Sequence, residues 1–115
     1  MLIDYENKTV WEYFNDFELI KKDFGNNIAI ATKKRVNQLK ASANFSVYLT
    51  TGLGRPHPLY ENLKGYYCIT ITGNIRLIVK PDTESLEPEA LKNCDTVIIK
   101  GVMDYHGRKN KWLIS

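Results

Sequence analysis

The chain holds two imidazoles, His57 in "GRPHPLY" and His106 in "VMDYHGRKNKW". An imidazole changes charge near neutrality, with an ordinary pKa of about 6.5, so either group can serve as acid or base. His106 follows Asp104 and Tyr105 and is followed by the cations Arg108, Lys109 and Lys111; Arg76 and Lys64 add two more upstream. One reaction uses such an inventory. Cleavage of RNA by attack of its own 2′-OH on the adjacent phosphate needs a base for that hydroxyl, an acid for the leaving 5′-oxygen, and cations around the developing phosphorane charge. His57, His106 and Tyr105 can share the proton work, while Arg76, with Lys64 or Arg108, suits the phosphate; a guanidinium donates to it bidentately. No metal or other cofactor is required, and no cluster of carboxylates and histidines stands at ligand spacing to hold one.

Each of these residues also has a plainer reading. His57 alone is more simply a polar loop residue. Consecutive strand residues point to opposite faces, so Asp104, Tyr105 and His106 line one pocket only if the strand twists or ends there. Otherwise Tyr105 plugs the core between two solvated neighbours. Arg76 can equally make a salt bridge across a hairpin, and the lysines a solvated face. Tyr66, Tyr67 and Trp112 can stack on bases or serve the core.

At 115 residues the chain reads as one domain, 1–115. Apolar residues at 43% and charged residues at 25% exclude a disordered or fibrous class. The opening "MLIDYENKTV" lacks the basic start and apolar run of a signal peptide, and no stretch approaches the roughly 20 apolar residues that span a bilayer; the expectation is a cytoplasmic protein without a membrane partner. Cys68 and Cys94 fit no disulfide framework or zinc spacing and read as reduced thiols. A net charge of +3 does not by itself announce nucleic acid, but its distribution is uneven: "KKDFG", "KKR" and "GRKNK" are basic while "PDTESLEPEA" is acidic.

"LIDY" reads as a short edge strand. Thr9 with Glu12 three residues on forms a capping box, and Val10, Tyr13, Phe14, Phe17, Ile20 and Phe24 make one apolar stripe of a helix ending near Gly25. A second helix from about Asn27 carries Ile28, Thr32, Val36, Leu39 and Ala43 on one face. Residues 44–64 read as a long ordered surface loop with at most a helical turn. "YYCITIT" and "IRLIVK" flank Gly73-Asn74, a two-residue hairpin turn. That turn pairs Ile71 with Arg76 and Ile69 with Ile78, which puts Tyr67 and Arg76 on one face. "TVIIKGVMDY" is a third strand and "KWLIS" a fourth. The fold class is α+β: two N-terminal helices packed on one face of a twisted antiparallel sheet.

The order helix–helix, "RPHPLYENLKGYYCITITGNIRLIVK", then "VIIKGVMDYHG" resembles the HigB-like, plasmid-maintenance killer branch of the RelE superfamily of bacterial toxins. The likeness rests on His-Pro-Leu at 57–59, Leu-Lys-Gly and the aromatic strand at 63–69, Gly-Asn-x-Arg at 73–76 and Asp-Tyr-His at 104–106. It implies a RelE-like fold and a toxin of a type II toxin–antitoxin system that cuts messenger RNA in the ribosomal A site. Its partner is an antitoxin encoded beside it, expected to be a helix-turn-helix protein, with DNA bound only through that complex. Carried over by position, the site comprises His57, Asp104, Tyr105 and His106, with Arg76 on phosphate. His57 and His106 are then the proton-transfer or orienting groups, Tyr105 lies near the 2′-oxygen, and Asp104 positions a histidine. Lys64, Tyr67, Arg108 and Lys109 hold substrate. Two positions depart from the pattern: Tyr60-Glu61 replace a lysine and glycine, so Lys64 or a tail cation must stand in, and Ile75 replaces a tryptophan. The basic helix face and tail are expected to dock on ribosomal RNA phosphates. The rival readings are a non-catalytic RNA- or protein-binding module and a nuclease acting on naked RNA.

Overall fold

The computed structural model describes residues 1–107 and 109–115; Arg108, a substrate-binding candidate, lies outside the described residues. The chain runs β1 (Leu2–Tyr5), α1 (Lys8–Asn15), α2 (Phe17–Phe24), α3 (Asn26–Ala41), α4 (Phe45–Thr51), β2 (His57–Pro58), a single 3₁₀ turn (Glu61–Leu63), β3 (Tyr67–Thr72), β4 (Ile75–Pro81), α5 (Pro88–Lys92), β5 (Thr96–His106) and β6 (Lys109–Ile114). Helices cover one face of a six-stranded sheet ordered β1-β5-β4-β3-β2, with β6 beside β5. This is the expected α+β class with one difference: the sheet is mixed, because β1 runs parallel to β5, Leu2 opposite Thr96. An edge strand joined to its neighbour only after the whole helical layer can return in either direction.

The apolar stripe 10–24 forms two helices rather than one. Asp16 leaves helical geometry at φ −145° and its carboxylate accepts from the Glu18 N–H at 3.1 Å, so it caps the second segment. Asn7, not Thr9, caps α1, its side-chain oxygen accepting from Val10 N–H at 3.0 Å. The segment expected as loop holds α4, capped by Asn44. Its Phe45 and Tyr48 are fully buried, and the Tyr48 hydroxyl donates to the Leu53 carbonyl at 2.6 Å. Ala43, placed on the second helix by its spacing, is exposed beyond the end of α3.

Val10, Phe14, Ile20, Val36, Leu39, Phe45 and Tyr48 pack on Tyr67, Ile69, Leu77, Val79, Val97, Ile99, Val102 and Ile114 to make the main core. Across the sheet lies a smaller cluster: Cys68, Ile78 and Met103, flanked by Leu59, Leu63, Tyr66, Tyr105 and Trp112. No helix covers it. Cys68 and Cys94 are both free and buried.

The β3–β4 hairpin turns at Gly73-Asn74 as expected, with Thr72 opposite Ile75, but the register then slips: Thr70 faces Arg76, Ile69 faces Leu77 and Cys68 faces Ile78. Ile71 is the extra residue. A one-residue bulge transfers every later side chain of its strand to the other face. Tyr67 therefore turns into the helical core, 5.0 Å ring to ring from Phe45, while Cys68 turns to the open face. A second bulge lies in β5, where Ile78 pairs with Gly101 and Val79 with Ile99, leaving Lys100 over.

Candidate active site

The open face of the sheet is arranged in rows. Antiparallel partners share a face, so one row reads His57, Cys68, Ile78 and Gly101, and the next Thr70, Arg76, Met103 and Trp112. Tyr105 stands one further step along β5 on the same side as Met103, with its N–H donating to the Asn74 carbonyl at 2.8 Å.

Arg76 and Tyr105 are the polar centre of this face. The guanidinium carbon lies 5.7 Å from the Tyr105 ring centroid, and Nη1 donates to the Gly73 carbonyl at 2.6 Å and the Ile75 carbonyl at 3.2 Å. The turn thus aims the guanidinium while its remaining donors stay available. No carboxylate among the described residues pairs with it, so the cross-hairpin salt bridge is not formed. Burial, and then the neighbouring Cys68 thiol, push the Tyr105 phenol up to about 12, with Arg76 pulling the other way. Cys68 shares a hydrogen bond with Tyr105, and burial raises its own thiol. At neutral pH Tyr105 is a protonated donor, suited to a phosphoryl or leaving oxygen and unsuited to act as a phenolate base.

His57 borders the face, exposed, opposite Cys68. Its Nδ1 is 3.2 Å from the Arg55 carbonyl. A carbonyl only accepts, so in that hydrogen bond Nδ1 is the donor, and the neutral ring then has its lone pair on Nε2. The loop carrying it is clamped from the helical layer. Arg35 of α3 donates through Nε to the Thr70 carbonyl at 2.7 Å, and the Thr70 N–H donates to the Gly54 carbonyl at 2.7 Å. Arg35, the last residue of the basic run "KKR", is a partly buried strut of the fold. Gly54 has φ +75°, and a Cβ there would meet Ile69 Cγ2 at 2.5 Å.

The other candidates are not all brought to this centre. The β5 ladder continues through His106, opposite Lys109, so alternation puts Asp104 and His106 on the side of the strand away from Tyr105. Asp104 is opposite Ile75 and Lys111, with Oδ1 buried and unpartnered among the described residues. It therefore does not orient an imidazole on the open face. His106 is exposed at the rim where β5 ends. Lys109 is exposed on β6, and Tyr67 is in the core, which removes it from substrate contact. Lys64, exposed, lines a hollow of about 590 Å³ with Gly65, Lys80, Thr83, Glu84, Ser85 and Leu86.

Two cations on this face were not singled out from the sequence. Lys80 shares the face of Arg76 and Ile78 at alternate positions, a signal available in "RLIVK". Lys100 precedes Gly101 inside an apolar strand, and an isolated glycine in a strand is itself a bulge signal. Among the described residues no group of three or more His, Cys, Asp or Glu side chains could hold a metal ion, and no helix is long and apolar enough to cross a membrane.

No family model matches the chain, and no curated protein matches it. Solved structures do. The YoeB/ParE toxin from Agrobacterium tumefaciens superposes with a TM-score of 0.57 at 16% identity, over 92% of this chain and 100% of that one. The YoeB–YefM complex from Staphylococcus aureus gives 0.56 at 19%, over 92% and 98%, and the YoeB dimer from the same organism 0.53 at 17%, over 92% and 97%. At such identities the likeness is one of architecture: this chain has the RelE/YoeB toxin fold.

Proposed function

We propose that the protein is the toxin of a type II toxin–antitoxin pair, an endoribonuclease that cuts messenger RNA in the ribosomal A site by metal-independent attack of the 2′-OH. The observation that carries this reading is the pairing of Arg76, free of any carboxylate among the described residues, with the protonated Tyr105 on the uncovered face of a toxin fold. Arg76 binds the scissile phosphate and gains most as charge builds on the phosphorane. Tyr105 donates to an oxygen of that phosphate or to the leaving 5′-oxygen. His57, its Nδ1 on the Arg55 carbonyl, takes the proton of the 2′-OH through Nε2, and Tyr105 returns one to the 5′-oxygen; His106, on the far side of β5 from Tyr105, serves only if the strand end turns it over the rim. Asp104 has no part in this version. The HigB-like branch within the superfamily rests on the His-Pro-Leu and Asp-Tyr-His motifs.

The partner is an antitoxin, supported by the solved complexes of a like-folded toxin with YefM; a small helix-turn-helix protein encoded in the adjacent reading frame is the expectation. The experiment is expression of the parent beside Arg76→Ala, His57→Ala and His106→Ala. A nuclease loses nearly all growth inhibition on Arg76→Ala and on at least one histidine change, whereas a non-catalytic binding module keeps it. Incubating purified protein with message, with and without ribosomes and with a chelator, tests the rest. Equal cutting of naked RNA removes the ribosome from the proposal, and loss of cutting in chelator removes metal independence.

A further inference from the structure

Away from Arg76 and Tyr105, the same open face carries a second group of cations and rings. Lys80 Nζ stands 5.5 Å from the Tyr66 ring centroid; Lys100 Nζ stands 5.4 Å from that ring and 5.5 Å from the Trp112 ring. One carboxylate serves them. Glu6 lies 3.8 Å from Lys100 Nζ and accepts the Tyr66 hydroxyl at 3.1 Å. Lys80 has no ion-pair partner among the described residues and also lines the hollow that contains Lys64, Thr83, Ser85 and one further acid, Glu84.

Two ammonium groups drawn to one ring repel each other, and a single carboxylate at contact distance offsets only one of them. Covering the apolar cluster beneath needs only the lysine stems; it does not need both heads on one ring. The β5 bulge is what brings Lys100 here, since a bulged residue is re-aimed out of strict alternation. The result is a pre-aimed positive site walled by aromatic faces, the combination that holds single-stranded nucleic acid by phosphate and base together.

We propose that Lys80, Lys100, Tyr66 and Trp112 form a second nucleotide subsite for single-stranded RNA, with Glu6 as the acid that limits its affinity. The assignment of RNA as the ligand class rests on the function proposed above. Lys80 lies four residues beyond Arg76 on β4, about 13 Å along the strand. A stacked strand advances about 3.4 Å per nucleotide, so the subsite holds a nucleotide up to about four positions from the phosphate on Arg76.

The test is binding of fluorescent oligouridylates to the full chain, carried in Tyr105→Phe so that the RNA stays whole, across a salt series. Lys80→Gln and Lys100→Gln are each expected to weaken binding and to flatten the slope of log K against log salt by about 0.7. Glu6→Gln is expected to do the reverse and tighten binding. That sign is one a loss of folding cannot produce, and thermal unfolding of each variant checks the lysine changes. Unchanged affinity and slope in both lysine variants overturn the proposal, as does an absence of RNA binding. A polyglutamate peptide that binds as well as RNA overturns it in favour of an acidic protein partner. If the parent cuts message on ribosomes while the lysine variants bind normally, the subsite fails alone. If the variants lose binding while the parent cuts nothing, the subsite stands and the nuclease reading falls.

Discussion

The guanidinium of Arg76 is held against the ring of Tyr105, 5.7 Å from carbon to centroid, and both belong to the sheet face opposite the α-helices. The arginine is tethered through one nitrogen to a turn carbonyl, which fixes its orientation without using its whole fork. Arg76→Lys keeps the charge and loses the bidentate geometry. It should lower the proposed cleavage by about 10² to 10³, the usual effect of removing one preorganised donor, while the unfolding free energy changes by no more than about 1 kcal/mol. Single-turnover cleavage together with chemical denaturation measures both. Full activity in Arg76→Lys would contradict the phosphate role.

Alkaline pH should weaken the fold through two phenols. Tyr105 and the fully buried Tyr48 both titrate at about 12 when folded, against 10.0 in the open chain, chiefly because burial disfavours the phenolate. Above pH 10 the unfolded chain has released protons that the native state still binds, so stability falls as pH rises. The contribution is whole below pH 10 and is lost through about pH 12. Denaturation at stepped pH with tyrosinate absorbance follows this, and Tyr105→Phe should make the decline shallower.

Arg35 ties α3 to the loop that carries His57 through the Thr70 carbonyl. Arg35→Gln should cost about 1.5 to 3 kcal/mol, the range for a hydrogen bond from a charged donor. It should also speed amide exchange at Thr70, whose N–H is bonded to Gly54, well before exchange rises in α1. Uniform acceleration across the chain would mean that the arginine supports the whole fold and has no special hold on the loop.

Two glycines should separate crowding from backbone strain. A Cβ on Gly101 would lie 1.9 Å from the Ile114 carbonyl oxygen, which is backbone and cannot rotate away, so Gly101→Ala should cost about 3 kcal/mol or more and detach β6. Gly73, at φ +50° with nothing within 4 Å, should cost only about 1 to 2 kcal/mol on the same change. Equal losses in the two variants would count against the bulge packing described for β5.

The sequence carried the layer arrangement because its periodicities are strong: the stripe from Val10 to Phe24 is helical on both sides of the break at Asp16, and the hairpin turn is where Gly73-Asn74 stands. What local pattern could not carry is set by single residues with two competing uses. Asp16 fits a continuous helix face as well as a cap, and Asn7 and Thr9 are both acceptable first residues; geometry chose Asn7. Of the candidates legible as chemistry, Arg76 and Tyr105 lie side by side, and His57 borders the same face opposite Cys68. Tyr67 was misplaced because the bulge at Ile71 leaves no mark in an apolar alternating strand, and one slipped residue exchanges the faces. Asp104 was misplaced because β5 alternates regularly from Met103 to His106, beyond its bulge.

β5 is the seam on which the sheet closes: its first part takes β1 alongside, its later part takes β6, and β4 lies along its other edge. The helices and the β3–β4 hairpin are local along the chain, but Tyr105 reaches the open face only through β5, with β6 beside it. The open face is therefore incomplete until β5 has docked, however well formed the helical layer is without it.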